Sequence, residues 1–311
     1  MRAGAGLIAC AALAGCGSPQ PVGAPTGHPT IVSLNPCADA ILAEVTAPGQ
    51  LLAISHYSHD PAATSMDLAK ARSFPATGGT VEEVLALDPD VVVGSTFMDP
   101  ATVKAFARLG VRVEMLGIAS TVTDSKAQVE QLAAVAGEPG KGRALVGRID
   151  AALAATAHGG PPVSTVLWQD GGIVPGAGTL VSELMAHTGL ASHSAARGMQ
   201  QADYLSLELL LADPPELLLV AGNERAQSHP ALAQPGDMRT APFASNLLYC
   251  GGPSIIGAVD RLQEIQSRSY RAENAVRSRD TSANTSQGIS TLPLRQAQGL
   301  RSIRTDDGDT R

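Results

Sequence analysis

The sequence predicts an α/β protein of two lobes, and three observations carry that expectation. From residue 30 onward, short apolar runs alternate with helix-like stretches, the pattern of parallel sheets flanked by helices. A helical region over 124–158 has no strand signal inside it. On either side of that region one segment recurs. Val81-Glu82-Glu83-Val84-Leu85-Ala86-Leu87-Asp88-Pro89-Asp90-Val91-Val92-Val93 is echoed by Leu207-Glu208-Leu209-Leu210-Leu211-Ala212-Asp213-Pro214-Pro215-Glu216-Leu217-Leu218-Leu219. Each copy is a short helix opening with Glu, then a proline turn, then a buried strand.

The segment before the first lobe reads as an export address. After Met1 and Arg2, the apolar run from Ala3 to Gly15 is too short to span a bilayer and has the length of a secretory signal core. It ends in Leu13-Ala14-Gly15-Cys16, which resembles the lipobox of bacterial lipoproteins. Residues 1–15 are therefore expected to be a cleaved signal peptide. Cys16 is expected to carry the lipid, and 16–28, rich in Pro, Gly and Ser, to be a flexible tether. The mature chain would be lipid-anchored at the cell membrane, on its periplasmic or extracellular face. It would keep Cys37 and Cys250 in an oxidising compartment, where they could pair, ligate a metal or fill apolar space.

The first lobe is assigned to 29–123. Ile31 to Leu34 reads as a strand ending at Asn35-Pro36, Asp39 to Val45 as a helix, and Leu51 to Ile54 as a strand breaking at Ser55-His56-Tyr57-Ser58-His59. Thr80 to Leu87 is a short helix, Val91 to Val93 a strand, Ala101 to Leu109 a helix and Val111 to Leu116 a strand. The linker over 124–158 is interrupted at Gly137-Glu138-Pro139-Gly140, and Leu145, Ile149 and Leu153 form one apolar stripe along its second half. The second lobe, 159–266, has a strand at Val163 to Trp168, a helix at Thr179 to Thr188, a strand at Leu217 to Val220 and a closing helix at Ser254 to Gln266. The tail, 267–311, carries eight Arg, no Lys and five acidic residues without an apolar period, and is expected to be disordered.

Composition limits the function. The 311 residues are 44% hydrophobic and 16% charged, enough for two cores, and a net charge of −7 with no basic stripe argues against a nucleic-acid partner. Nucleophile elbows, phosphate-binding loops and His-Glu-x-x-His motifs are missing, so no catalytic set can be nominated. Four of the nine aromatic residues, Tyr57, Phe97, Trp168 and Tyr249, fall just after predicted strands, where open α/β sheets bind ligands. The same loops hold Cys37, His56, His59, Asp170 and Cys250. His56-x-x-His59 is also the spacing of a metal pair, although each His serves equally as a turn residue or hydrogen bonder.

These residues resemble a known family. Ile31-Val32-Ser33-Leu34-Asn35-Pro36-Cys37-Ala38-Asp39-Ala40-Ile41-Leu42, Leu52-Ala53-Ile54-Ser55, Gly78-Gly79, the segment Glu82 to Val93, Ser206-Leu207-Glu208 and Gly252-Pro253 are similar to the iron-siderophore and cobalamin substrate-binding proteins of bacterial ABC importers. The resemblance spans about residues 30–266 and departs at 35–39, where many members carry Ser or Thr with Glu. It implies two Rossmann-like lobes, each a mainly parallel sheet flanked by helices, bridged by one long helix, here Arg143 to Ala157. It implies no catalysis and no intrinsic cofactor. The ligand would be an iron- or cobalt-containing chelate, held by Cys37, His56, Tyr57, Phe97, Trp168, Asp170 and Tyr249. Glu82 and Glu208, one per lobe, match the family's permease-docking glutamates, so the partners are a chelate and an ABC permease in the inner membrane, and the protein itself is a monomer. Cys37 and Cys250 then face each other across the cleft loops as free thiols, a redox latch or soft metal ligands. Free thiols are the expectation, because a permanent latch would block release. The alternatives are a receptor for haem or free metal ion built on His56, His59 and Cys37, and an exported two-lobed enzyme.

Overall fold

In the computed structural model, which describes residues 28–233, 236 and 238–288, five parallel strands form the sheet of the first lobe. They are β1 (Ile31–Ser33), β2 (Leu51–Ser55), β3 (Ala76–Thr77), β4 (Val91–Ser95) and β5 (Arg112–Leu116), in the order β3-β2-β1-β4-β5. Between them run α1 (Pro36–Val45), α2 (Leu68–Arg72), α3 (Val81–Leu85) and α4 (Pro100–Arg108). The starts of α1 and α4 follow one rule. The side chain of Asn35 accepts the Cys37 amide, that of Asp99 accepts the Ala101 amide, and the proline after each cap sacrifices no helical hydrogen bond. α1 consequently begins three residues before the sequence reading placed it. Alternate strand residues feed two cores: Ile31, Val91 and Val93 on one face, Val32, Ala53, Val92 and the helix residue Phe106 on the other. Burial on both faces is why these strands read as unbroken apolar runs.

The linker is two helices, α5 (Val122–Val135) and α6 (Pro139–Thr156), parted at the Gly137-Glu138 interruption. A capping box between Thr121 and Asp124 starts α5, and Pro139 starts α6 four residues earlier than expected. The two pack closely because Gly142 has no side chain: a Cβ there would lie 2.5 Å from the Ala133 Cβ.

The second lobe has a parallel sheet in the order β11-β10-β6-β8, from β6 (Val163–Gln169), β8 (Leu190–Ser192), β10 (Leu217–Ala221) and β11 (Arg239–Pro242). β7 (Ile173–Val174) and β9 (Asp203–Tyr204) form a separate antiparallel ribbon. The helices are α7 (Leu180–His187), α8 (His193–Ala196), α9 (Leu207–Ala212) and α10 (Ser254–Gly288). Of the strands of this lobe, β7, β8, β9 and β11, of two to four residues, had no counterpart in the sequence reading, being too short to carry a period.

One apolar cluster runs without a break from Ile31 and Ile41 of the first lobe, through Val129, Leu145 and Ile149 of the linker, to Leu167, Leu184 and Leu262 of the second. Movement of one lobe against the other must drag that shared core, which favours small motions over wide opening.

The closing helix overturns one expectation. It does not stop at Gln266 before a disordered tail but continues to Gly288. Neither Gly nor Pro interrupts 258–287. The first extra turn is also tied down: Ser269 is buried, its carbonyl accepts from Arg239 at 2.6 Å, and Arg268 pairs with Glu264 one turn earlier. The signal peptide, Cys16, the tether up to residue 27 and the tail from 289 lie outside the described residues.

Candidate ligand-binding cleft

Topology selects where a ligand can sit. In the first lobe the chain leaves β1 toward β2 and later crosses to β4; in the second it leaves β6 toward β8 and later crosses to β10. At these reversals the loops beyond the strand ends part, leaving a crevice.

The β6/β10 crevice is the more elaborated. The Asn223 amide donates to Asp170 Oδ1 at 3.1 Å, and the Gly171 amide donates to Glu224 Oε2 at 2.8 Å, so the two exit loops clasp each other. Gly222 makes this possible. It has φ 145°, and a Cβ there would stand 1.9 Å from Asp170 Oδ1. Beside this clasp lies a cavity of about 360 Å³, lined among others by Ile118, Gln169, Asp170, Ile173, Gln201 and Tyr249. Ile118 comes from the first lobe just after β5, and the other five come from the end of β6 onward, so the cavity lies between the lobes. Among the described residues no Lys or Arg lines it. Partial burial, reinforced by the charge of Asp170, pushes the Tyr249 phenol up, which keeps it protonated and able to donate.

Of the residues singled out from sequence, the cavity therefore gathers Asp170 and Tyr249. Tyr57 and Phe97 project from the ends of β2 and β4 and are 55% and 76% exposed, on the rim of the first lobe rather than in the cavity wall. His56 stacks at a tilt on Tyr57 with ring centroids 4.1 Å apart, and a ring nitrogen lies 3.3 Å from the Thr77 carbonyl. His59 turns away, its Nε2 3.1 Å from the Ala71 carbonyl. Among the described residues no group of three His, Cys, Asp or Glu is placed to hold a metal ion.

Two expectations are corrected. Trp168 is 2% exposed and does not face the cleft. It lies inside β6, one residue before its end, so strand alternation aims it at the face opposite Leu167. There it packs with Val166, Val174, Leu205 and Leu210 and donates its indole N–H to the Leu205 carbonyl at 2.9 Å. Cys37 and Cys250 are not free thiols but form a disulfide, with Cα atoms 5.0 Å apart. The reason is the packing of the Cys250-Gly251-Gly252 segment on the first lobe. The Gly252 amide donates to Ser125 Oγ at 2.6 Å, and a Cβ on Gly251 or Gly252 would collide with Ser125 or Ile41. The bond thus joins the lobes beside Tyr249, a lining residue of the cavity, where the Cys37 Sγ also lies 3.6 Å from the Tyr249 carbonyl.

Glu82 and Glu208 occupy matching places. Each lies in the first turn of a short helix, α3 or α9, capped by Thr80 or Ser206, and each is exposed. α3 follows the end of β3, and α9 follows β9, which pairs with β7 just beyond the end of β6. Both glutamates therefore stand at the strand-end side of their lobes. The backbone N–H at the start of α9, with help from Ser206, holds the Glu208 carboxyl below its usual range. The adjacent Glu83 is spent internally, accepting from the Gly78 amide and Thr77 Oγ.

Sequence reasoning missed Ile118, Gln169, Ile173 and Gln201. Ile118 and Gln169 were detectable as residues at strand ends. Ile173 and Gln201 depend on the β7–β9 ribbon, which has no sequence period.

Two parallel-sheet lobes, a linker that shares their core and a cavity between strand ends define a bilobal binding protein. The model of the periplasmic binding protein family matches residues 31–245, and the chain belongs to that family. The family's binding proteins are exported. Similar solved structures include the apo form of the periplasmic heme-binding protein RhuT from Roseiflexus sp. RS-1, with a TM-score of 0.63 and 21% identity over 79% of this chain and 99% of that one. The periplasmic heme-binding protein from Pseudomonas aeruginosa gives 0.61 and 21%, over 76% and 91%. The periplasmic vitamin B12-binding protein BtuF of Vibrio cholerae gives 0.57 and 19%, over 78% and 98%. No curated protein sequence matches the chain.

Proposed function

We propose that this protein is the lipid-anchored substrate-binding component of an ABC importer, capturing a metal chelate between its lobes and delivering it to a membrane permease without chemistry of its own. The observation that carries the choice of cargo is the charge of the cavity wall. Asp170 lines it and, among the described residues, no Lys or Arg does. An anionic chelate, such as a ferric triscatecholate or a haem presenting its propionates, would bring negative charge to a carboxylate with nothing to offset it. A neutral or cationic chelate rich in hydrogen-bonding groups, a corrinoid above all, meets Gln169, Gln201, Asp170 and the Tyr249 hydroxyl on favourable terms. Because Trp168 is buried away from the cavity, its fluorescence is a poor reporter, and calorimetric titration is the direct test. Cyanocobalamin, a ferric hydroxamate, a ferric catecholate, haem and free ferric ion form the panel. Saturable binding of the neutral members alone is the expected result, and preference for the catecholate would overturn the charge argument.

Docking follows from Glu82 and Glu208. Two exposed carboxylates on a body whose lobes share one core can meet two permease arginines together, so individually weak pairs add orientation and avidity. Reversing both to Arg should stop transport in cells while leaving cyanocobalamin affinity unchanged. Loss of affinity in the purified double variant would refute a docking role.

One observation favours a second cargo, haem. The His56–Tyr57 ring pair is exposed on the rim of the first lobe, where it could approach a metal from the side opposite the cavity. That reading requires His56→Ala or Tyr57→Ala to abolish haem binding.

A further inference from the structure

Asp39 is unlike any other carboxylate among the described residues. It is fully buried, in the first half of α1, beneath the turn His56–His59 that carries the exposed rings of His56 and Tyr57. One oxygen, Oδ2, accepts the Ser55 amide at 3.0 Å and the Ser58 hydroxyl at 2.6 Å, and so pegs both ends of the bend to α1. The other, Oδ1, is buried with no hydrogen-bond partner.

The surroundings offer it no counter-charge. From β1 it faces the Ser33 hydroxyl, from β2 the Ser55 amide and from the turn Ser58. The rings of His56 and His59 are directed to the Thr77 and Ala71 carbonyls. Lys70 of α2 and Arg148 of α6 both engage Glu44, farther along α1. Cys37, one turn away, is held in the disulfide.

We propose that Asp39 is a proton-controlled positioning residue: neutral, it holds the His56–Tyr57 turn down on α1, and ionised, it releases that turn from the cleft rim.

The logic is linkage. An ionised carboxylate here leaves Oδ1 bare in an apolar interior, and that oxygen gains a partner when water enters beneath the turn. Burial raises the Asp39 carboxyl to about 7, outweighing the nearby Ser33 hydroxyl and the hydrogen bonds from Ser58 and Ser55 that lower it. In an opened turn the group regains water and its ordinary acidity. The closed form therefore binds the proton more tightly, and opening becomes easier as pH rises from the ordinary carboxyl range to about 7, by up to about tenfold per pH unit, and levels off once the closed form is ionised as well. If the cleft takes cargo as proposed above, the same proton adjusts the rim of the cargo site.

Hydrogen exchange of the 55–60 segment tests this in the intact protein. Wild type and Asp39→Asn are compared at equal pH from 5.5 to 8.5, so that the chemical exchange rate cancels. Asn keeps an acceptor for Ser55 and Ser58 but cannot ionise. The wild-type to variant ratio should rise about tenfold or more from pH 5.5 to about 7 and stay flat from there to pH 8.5. A constant ratio across the range overturns the proposal. Ser58→Ala keeps Asp39 titratable and removes a bond that favours its charge, so the rise should start from lower absolute stability but level off at higher pH; a levelling point moved down, or none, overturns it equally. Repeating the exchange with saturating cyanocobalamin separates this proposal from the cargo reading. Bound cargo should suppress the rise, and an unchanged rise counts against cargo at the rim while the behaviour of the free protein still stands for Asp39.

Discussion

The two lobes agree at one end of their sheets and differ at the other. At the end away from the cleft, the repeated segment has the same task in each. Asp90, just before β4, accepts the Thr30 amide at 2.7 Å at the start of the neighbouring β1. Its counterpart Glu216, just before β10, accepts the Ser164 amide at 3.0 Å at the start of the neighbouring β6. At the cleft end, the first lobe projects His56, Tyr57 and Phe97 into the open, whereas the second encloses a cavity and hides its one Trp. The contrast shows that the repeat preserved strand pairing while the two rims diverged, so the fold can be inferred from the repeat but the binding surface cannot.

The sharpest contrast is between Trp168 and Tyr57, which sequence reasoning treated as equivalent. Truncating Trp168 to Ala removes the largest buried side chain from the core under β7 and β9, and strands the Leu205 carbonyl. A loss of about 3–5 kcal/mol in denaturant unfolding, followed by circular dichroism, is the expected outcome. Tyr57→Ala, by contrast, should shift stability by no more than about 0.5 kcal/mol, since the ring is more than half exposed. Comparable losses at both sites would break the distinction between a core lobe face and an open rim.

How much of this was legible in the sequence follows from the same pair. Apolar runs such as Val91–Val93 and Leu217–Val220 identify buried strands because both faces of the sheet are covered. The helix over 139–156 shows itself in Leu145 and Ile149. Whether an aromatic near a strand end reaches the cleft depends on one residue of register. Trp168 is still in β6 and alternates into a core, while Tyr57 lies two residues past β2 and escapes it. Sequence periodicity does not fix a strand end to one residue. The disulfide was equally hidden, because the contact of Gly251 and Gly252 with Ser125 and Ile41 spans more than a hundred residues of chain. Asp39, read as a motif residue, gave no sign that a carboxylate would be wholly buried.

The first lobe keeps its buried acid and the second has none among its described residues, and that difference should appear in stability. Because Asp39 rises from about 3.8 to about 7 on folding, the folded state holds a proton that the unfolded state has released. Stability should then fall as pH climbs between those values and level off above them, a contribution of up to about 4 kcal/mol. Asp39→Asn should remove that slope. Unfolding wild type and variant in urea at pH 5 and pH 8 measures it, and equal slopes in the two proteins would deny that the carboxyl titrates while buried.

The smallest effects belong to the feature the lobes share. Hydrogen bonding from the Thr30 amide and hydroxyl holds Asp90 below its usual range, so its contribution is present above about pH 4 and fades as pH falls through the lowered value. The side chain is exposed and water competes for it, so Asp90→Ala should cost no more than about 1 kcal/mol at pH 7, and Glu216→Ala a similar amount. The informative measurement is their combination. The two sites lie in different lobes with no common partner, so their costs should add. The apolar cluster joining the lobes through α6 should also keep the double variant unfolding in one transition rather than two. A second transition appearing when one lobe alone is weakened would mean that the linker core and the disulfide leave the lobes to melt separately, and that their movement about the cleft is freer than a shared core allows.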